Sequence, residues 1–381
     1  MSTTENRIMK NKTIKISALA LILFAGSVTA QQTDTPTGCP SLTSQKSSRK
    51  KIIPRTSEQA EADRLAAEAQ TLSRSPSREN VAKAISVAEQ ALKSDPNNVT
   101  AYLVLARAHA ASQRYMDVPR KIAGQKAWDS LTKARALDPE NIEGLQILAD
   151  QVVARNHDYR CSKKILETAL KFDPQNARTN YYYSQLLSGM GKFDLAFEYA
   201  DKAIALADSD SRNFVVVNAG RPRYMAGQYD WVLDHYARYL ESNPNHWLAY
   251  FYRSLAFGAK GQFQEALAEA KKSQPAAPKG DAGGIGMLAL AYANAGQKET
   301  ARELLNELLR RDARGEHVVE YRIAALYEVL GERDEAFRWL GKDIDDRDGL
   351  GSWLVWLNHD PVWKAMRKDR RFKEIQTRAG W

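Results

Sequence analysis

A turn that ends a helix recurs along this sequence at a nearly constant interval. The first interval is 43 residues long, and the later ones are 34 or 35 residues. The copies are Asp95-Pro96-Asn97-Asn98, Asp138-Pro139-Glu140-Asn141, Asp173-Pro174-Gln175-Asn176, Asp208-Ser209-Asp210, Asn243-Pro244-Asn245 and Ala277-Pro278. Because proline blocks the continuation of a helix, most copies mark a place where a helix must stop. A repeat of this length restricts the chain to stacked copies of one small unit.

A second marker, a glycine followed by a polar residue, falls between these turns. Its copies begin at Gly191, Gly227, Gly261, Gly296 and Gly331, at intervals of 36, 34, 35 and 35 residues. Glycine ends helices because it adopts a positive φ without strain. Two helix ends in each interval of about 34 residues predict a solenoid of helix-turn-helix units.

Composition supports a helical and soluble chain. Gly and Pro together make up 34 of the 381 residues, which is about 9%, below the roughly 12% that is usual for globular proteins. The charged fraction of 27% and the eight Trp exclude a collagen-like, a largely disordered or a polytopic membrane protein.

These repeats resemble the tetratricopeptide repeat family. The clearest copy runs from Asn180 to Asp208 and contains Gly191-Lys192-Phe193-Asp194-Leu195-Ala196. A small residue recurs where the second helix of each repeat must cross the first, at Ala84, Ala127, Ser162, Ala196, Val232, Ala266, Ala301 and Ala336. A small side chain lets two helices approach closely. The resemblance implies an all-α fold, a right-handed superhelical solenoid of about eight helix-turn-helix repeats over residues 58–345.

Two departures from the period carry structural expectations. About nine extra residues lie around residues 116–126 of the second repeat, and we expect them to form a loop. Pro222 falls inside a predicted first helix, where proline costs about 3 kcal/mol in a helix interior. We therefore expect a kink in that helix.

Residues 346–381 leave the period and hold half of the Trp residues, Trp353, Trp356, Trp363 and Trp381. The last repeat of a solenoid exposes an apolar face that a cap must cover. The tail also resembles the Trp-rich endings of many bacterial tetratricopeptide repeat proteins, which implies a C-terminal cap. An aromatic docking patch for a partner is the alternative interpretation.

The N-terminus has the order of a secretory signal peptide over residues 1–30. A basic stretch with Lys10, Lys12 and Lys15 precedes the apolar run 16–26 and a small-residue cleavage site at residues 28–30. The run is shorter than the ~20 apolar residues of a membrane span.

Residues 31–57 then form a polar tail that we expect to be flexible. The tail carries the basic cluster Lys46, Arg49, Lys50 and Lys51, interpreted as a solvated linker or as a weak contact with an anionic surface.

No catalytic or cofactor motif has the structural context that it needs. Ser130-Leu131-Thr132-Lys133 matches a nucleophile motif but lies within a predicted helix, and Gly284-Ile285-Gly286 lacks a preceding strand. The six His are not spaced to hold a metal. We therefore expect no enzyme activity, no cofactor, no metal and no nucleic-acid partner. We also expect no disulfide between Cys39 and Cys161, because the repeat pattern does not bring them together.

By analogy with the family, the first helix of each repeat lines a concave groove. Mapped onto repeats four to six, the candidate partner-binding residues are Arg178, Tyr181, Gln185, Phe214, Arg221, Tyr224 and Phe251. Arg and aromatic residues are enriched among the residues that dominate binding energy. The alternative is a purely structural role, in which these side chains pack between helices. The family's carboxylate clamp is not recognisable, so the resemblance does not imply a ligand with a free C-terminus.

The function expected is a non-catalytic scaffold or adaptor of the bacterial cell envelope, most simply in the periplasm, that binds a protein or peptide in its groove. The alternative is an accessory subunit of a machine that makes or exports polysaccharide or peptidoglycan. The genes next to this one, or the proteins captured from an envelope extract, would separate the two.

We predict that the protein is exported and cleaved after Ala30. Mass spectrometry of the envelope fraction should then find Gln31 at or near the N-terminus. Cleavage also lowers the formal net charge from +9 to +6, because the removed segment holds four basic residues and one acidic residue. A cytoplasmic protein that retains Met1 or Met9 would refute this prediction.

Overall fold

The computed structural model describes residues 39–40, 55–116, 118–209, 211–277, 281–346 and 353–381. The chain divides into two compact units, Met1–Ser41 and Leu42–Trp381, and every helix below belongs to the second. The expected signal peptide and the basic cluster of the tail lie outside the described residues. Both stay predictions.

Helices and turns make up the described part of the second unit, and it contains no strand. The α-helices are α1 (Ser57–Arg74), α2 (Arg78–Ser94), α3 (Val99–Tyr115), α4 (Arg120–Leu137), α5 (Ile142–Asn156), α6 (Tyr159–Phe172), α7 (Ala177–Gly189), α8 (Phe193–Leu206), α9 (Arg212–Asn218), α10 (Arg221–Met225), α11 (Tyr229–Ser242), α12 (Trp247–Ala259), α13 (Phe263–Ala276), α14 (Ala282–Asn294), α15 (Lys298–Ala313), α16 (Glu320–Leu330), α17 (Arg333–Asp345) and α18 (Arg370–Arg378). Three short 3-10 helices, Trp353–Trp356, Pro361–Trp363 and Met366–Lys368, precede α18.

The first seventeen helices form eight stacked repeats, which confirms the predicted solenoid. Repeats one to four pair α1 with α2, α3 with α4, α5 with α6 and α7 with α8. Repeat five consists of α9, α10 and α11, and repeats six to eight pair α12 with α13, α14 with α15 and α16 with α17. The small residue expected at each helix crossing is at most 3% exposed in all eight repeats.

Side chains of the recurring turns start the next helix. Asn98, Asn141 and Asn176 precede α3, α5 and α7, and each side chain accepts a hydrogen bond from the backbone N–H three residues on. Asp281 does the same for α14. Such caps satisfy an amide that has no partner within the helix. The glycine markers also behave as predicted, because all five have φ values between 70° and 87°.

The extra residues of repeat two are mostly helical, so the expected loop is wrong. The helix α4 begins at Arg120 and already includes Lys126. Pro119 stands immediately before the helix, where a missing N–H costs nothing. The insertion therefore lengthens a helix and leaves only a short connection after α3.

Near Pro222, where a kink is expected, the helix is interrupted between α9 and α10, although Ala219 and Gly220 between them keep right-handed helical backbone angles. Pro222 lies in the first turn of α10, where its missing amide proton is tolerated. The break leaves carbonyl groups of α9 without helical partners. The Tyr236 hydroxyl, on α11, donates to the Val217 carbonyl at 2.7 Å, and the His235 ring lies 3.1 Å from the Val216 carbonyl. The second helix of the repeat therefore stabilises the break in the first.

The expectation of no disulfide is wrong. Cys39 and Cys161 are both disulfide-bonded, and the chain contains only these two cysteines. The repeat pattern could not reveal this, because Cys39 lies before the first repeat. Within the described residues, no helix is both long enough and apolar enough to cross a membrane.

We predict that Tyr236→Phe lowers stability, because the buried Val217 carbonyl loses its donor. Loss of such a bond costs about 1–3 kcal/mol, measured as a lower urea midpoint of unfolding. Tyr239→Phe is the matched control on the same helix, since the buried Tyr239 hydroxyl has no hydrogen-bond partner among the described residues. Equal effects of the two substitutions would contradict the role given to Tyr236.

Candidate functional site

The first helices of the repeats form the inner, concave side of the stack. Successive first helices pack directly on one another, α1 on α3, α3 on α5, α5 on α7, α12 on α14 and α14 on α16. No pair of successive second helices packs to a comparable extent within the described residues. Side chains of the first helices are therefore the ones that a ligand in the groove would meet.

Part of this groove is filled by the chain itself. We call residues 353–381 the C-terminal segment. The Trp356 indole Nε1 donates to the Ser188 hydroxyl of α7 at 2.9 Å, and both groups are buried. Gly189, also on α7, lies directly against Val355, where a side chain would collide with its carbonyl oxygen. The segment therefore docks on the concave face of repeat four.

Two arginines hold the aromatic rings of the C-terminal segment. The Arg221 guanidinium lies 4.8 Å from the ring centre of Trp353 and 4.5 Å from that of Trp356. Arg322 lies 4.1 Å from the ring centre of Trp353. Arg221 also donates through Nε to the Tyr252 hydroxyl at 2.9 Å. Desolvated contacts between a cation and an indole ring contribute about 2 kcal/mol, so these stacks anchor the segment.

The middle of the C-terminal segment caps the last repeat, as the sequence predicts. Trp363 is fully buried, and its indole Nε1 donates to the Tyr321 hydroxyl of α16 at 2.7 Å. That hydroxyl in turn donates to the carboxylate of Asp360 at 3.1 Å. Burial raises the pKa of Asp360, while the nearby Arg322 and the hydrogen bonds from the Val362 N–H and the Tyr321 hydroxyl act against the rise. The cap is therefore joined to repeat eight by a buried polar chain.

The end of the segment reaches repeat three. The Trp381 ring stacks on Tyr159 of α6 with ring centres 4.1 Å apart, and its Nε1 donates to the Leu354 carbonyl at 3.0 Å. Gly380 lies against the His157 backbone. The segment thus contacts repeats three, four and eight, which are far apart along the chain.

The structure brings most of the predicted groove residues to the C-terminal segment. Tyr181, Gln185 and Arg221 line one cavity with Trp353 and Trp356. Phe251 packs against Trp353, with ring centres 6.3 Å apart. Tyr224 lines a separate cavity beside Val362. Arg178 and Phe214 lie together, with the guanidinium 5.0 Å from the ring centre. Tyr181, Gln185, Tyr224 and Phe251 are buried, at 4–7% exposure.

A larger cleft of about 450 Å³ lies on the same concave face. It is bounded by α3, α5 and α7 on one side and by the residues around the start of α16 on the other. Its lining includes Ala110 and Arg114 of α3, Asp150 of α5, Tyr182 of α7 and His317. The groove positions implied by the family analogy were mapped onto repeats four to six, so the prediction missed the cleft residues on α3 and those around α16. The same positions in repeats two and eight indicate Arg107, Ala110 and Tyr321 of this lining, but not Arg114 or His317.

Ion pairs join the two sides of this cleft. Arg114 pairs with Asp281 of repeat seven, and Arg120 of α4 lies 2.5 Å from the carboxylate of Glu320 in repeat eight. Within the side formed by α3 and α5, Arg107 pairs with Glu143 at 3.1 Å. Burial, with Arg120 and Arg114 nearby, lowers the pKa of His317 to about 3, so this imidazole is neutral at pH 7. The arginines of the cleft are therefore already balanced by carboxylates.

Within the described residues, no group of three or more His, Cys, Asp or Glu is placed to hold a metal ion. The two motifs that the sequence analysis rejected as catalytic or cofactor sites lie within helices. Ser130 and Lys133 are in α4, and Gly284 and Gly286 are in α14.

We predict that Gly189→Ala displaces the C-terminal segment, because the new methyl would lie 2.7 Å from Val355 Cγ2. Overpacking of this kind costs about 1–3 kcal/mol, so amide hydrogen exchange of residues 353–357 should become about tenfold faster. Gly258→Ala is the matched control near the end of α12, where the added methyl meets only Ala266 at 3.9 Å. Unchanged exchange in the Gly189 variant would contradict the docking described here.

A family model described as tetratricopeptide repeat matches residues 77–117 and 223–281. None of the curated proteins compared with this sequence matches it. Solved structures resemble the fold at low sequence identity. The APC/C hetero-tetramer Cut9-Hcn1 is 14% identical, with a TM-score of 0.52 over 85% of this chain and 57% of that chain.

Two further structures match with lower TM-scores. Yeast Tom70 is 17% identical, with a TM-score of 0.47 over 90% of this chain and 66% of that chain. A tetratricopeptide repeat protein from Parabacteroides merdae is 14% identical, with a TM-score of 0.40 over 84% of this chain and all of that chain. This chain spans only part of the Cut9-Hcn1 and Tom70 chains. The periodic turns, the eight stacked repeats and the family model that matches residues 77–117 and 223–281 show that this chain resembles the tetratricopeptide repeat family.

Proposed function

We propose that this protein is a non-catalytic scaffold of the bacterial cell envelope that binds a segment of another protein on its concave face. The observation that carries the proposal is the 450 Å³ cleft between the first helices of repeats two to four and the start of repeat eight. The fold supplies a rigid curved surface, and repeat solenoids use such concave surfaces for binding.

The chemistry of the cleft favours a polypeptide. Small side chains along α3, among them Ala106, Ala110 and Ala111, leave room for an extended chain. Gln146 and Tyr182 add polar groups beside the apolar Ile147. A mixture of apolar area and a few polar groups suits side chains and backbone amides together.

The charges of the cleft disfavour a polyanion such as a nucleic acid. Proteins bind phosphate backbones through Lys and Arg that neutralise the phosphates. Here Arg107 and Arg114 are paired with Glu143 and Asp281. Carboxylates such as Asp150 and Asp343 line the cleft as well. A neutral or mildly basic peptide meets less repulsion there.

The groove of repeats four to six is part of the same proposal. Arg178 and Phe214 are half-buried and would contact a partner that extends along the groove. Tyr181, Arg221 and Phe251 would contact the partner only where the C-terminal segment does not cover their side chains. The place of action follows from the signal peptide proposed for residues 1–30, which would direct the protein to the periplasm.

We predict that Ala110→Arg blocks binding, because a long side chain would fill the cleft. Peptides that bind the wild-type protein are first selected from a random display library, and their affinity is then measured by fluorescence anisotropy. Ala110→Arg should weaken binding by at least about tenfold, which corresponds to 1.4 kcal/mol. The matched control is Ala82→Arg, on the exposed face of α2.

The control variant should bind within a factor of about two of the wild type, because isolated surface substitutions have small effects. A library that yields no binding peptide would refute the proposal. So would peptides whose affinity for the Ala110 and Ala82 variants is the same. Melting curves of both variants show whether the fold is kept.

A further inference from the structure

A second cavity, of about 160 Å³, lies where the C-terminal segment crosses repeats three and four. Its walls include four aromatic side chains, Tyr181 and Tyr182 of α7 and Trp353 and Trp356 of the C-terminal segment. Apolar side chains of α5 and α6, such as Val153 and Leu166, complete them. The cavity adjoins the larger cleft, and Gln146, Asp150, Tyr182 and Trp353 border both.

One polar atom in the wall has no partner. Gln185 lines the cavity and is 7% exposed, and its Oε1 accepts no hydrogen bond within the described residues. The Gln185 Nε2 lies 3.3 Å from the Ser184 hydroxyl. That hydroxyl donates its own proton to the Tyr181 carbonyl at 2.7 Å, so it can only accept from Gln185. This fixes the orientation of the amide and leaves Oε1 as an unused acceptor.

Buried acceptors in native proteins are nearly always paired with a donor. An unpaired one in the wall of a cavity therefore suggests that a ligand supplies the donor. The two charged residues in the wall, Arg221 and Asp150, carry opposite charges. They favour a neutral ligand over an anion or a cation.

The size of the cavity restricts the ligand further. An apolar cavity of about 150 Å³ in another protein binds benzene, and this cavity is slightly larger and lined by aromatic rings. Aromatic rings pack well against one another in stacked or edge-on arrangements. We propose that this cavity binds a small neutral aromatic ring that carries one hydrogen-bond donor, such as indole, with the donor on the Gln185 Oε1. This site goes beyond the proposed peptide binding and does not depend on it.

The first test uses the wild-type protein and two probes of matched size. Indole carries an N–H donor, whereas benzofuran has the same two fused rings and no donor. Isothermal titration calorimetry should show that indole binds at least about tenfold more tightly than benzofuran. Failure of indole to bind at millimolar concentration, or equal affinity for both probes, would overturn the proposal.

The second test uses variants in the cavity wall. Gln185→Met keeps the size of the side chain and removes the acceptor, so indole should lose its advantage over benzofuran. Ala149→Met, on α5, should fill the cavity and abolish binding of both probes. Ala154→Met is the matched control, because Ala154 lies on the same helix and lines the larger cleft instead. Full indole affinity in the Ala149 variant, with melting showing an intact fold, would refute the site.

The ring could belong to a free molecule or to a Trp side chain of a peptide. N-acetyltryptophanamide distinguishes these sources, because its ring carries backbone amides on both sides. Binding of indole without binding of N-acetyltryptophanamide supports a free molecule as the ligand. Binding of both indole and N-acetyltryptophanamide supports a Trp side chain of a peptide as well. The peptide experiment on Ala110→Arg has a separate readout, so either proposal can fail without the other.

Discussion

The close crossing of the two helices in each repeat is the constraint on which the rest of this structure depends. In all eight repeats the crossing is occupied by a small or β-branched residue with at most 3% exposure, so the two helices of each repeat can approach closely. The curvature of the stack brings repeat two near repeats seven and eight, where Arg114 pairs with Asp281 and Arg120 with Glu320. The cleft between them exists because the stack curves back on itself. A larger residue at one crossing would change this geometry far from its own position.

The break between α9 and α10 and the docking of the C-terminal segment depend on each other. Arg221 begins α10 directly after the break, and its guanidinium is enclosed by Trp353, Trp356 and Tyr252. The Arg221 side chain is half-buried, and a guanidinium removed from water without partners would be destabilising. The tryptophan rings and the Tyr252 hydroxyl therefore compensate for the burial of this charge. In turn, the charge gives the aromatic segment a specific place on the concave face, which apolar contact alone would not define.

The sequence predicted the features that repeat and missed most of those that occur once. The helix ends, the capping turns and the positive φ of the glycine markers depend on nearby residues, so a periodic pattern is sufficient to predict them. The cap formed by Trp363 was predicted as well, because a terminal repeat needs a cover. The docking of Trp356 against Ser188 could not be predicted, since the two residues are 168 positions apart. The disulfide and the opposing sides of the cleft were missed for the same reason.

The C-terminal segment also decides which part of the concave face a partner can reach. A segment on the same chain competes with an external peptide at an effective concentration on the order of millimolar. A peptide directed at Tyr181, Arg221 or Phe251 must first displace the tryptophan rings from the two arginines. The larger cleft imposes no such cost on the side formed by α3, where Ala110 and Ala111 are only half-buried. The partner binding proposed above is therefore favoured at repeats two to four and eight, while Arg221 and Phe251 of repeats five and six contact the C-terminal segment.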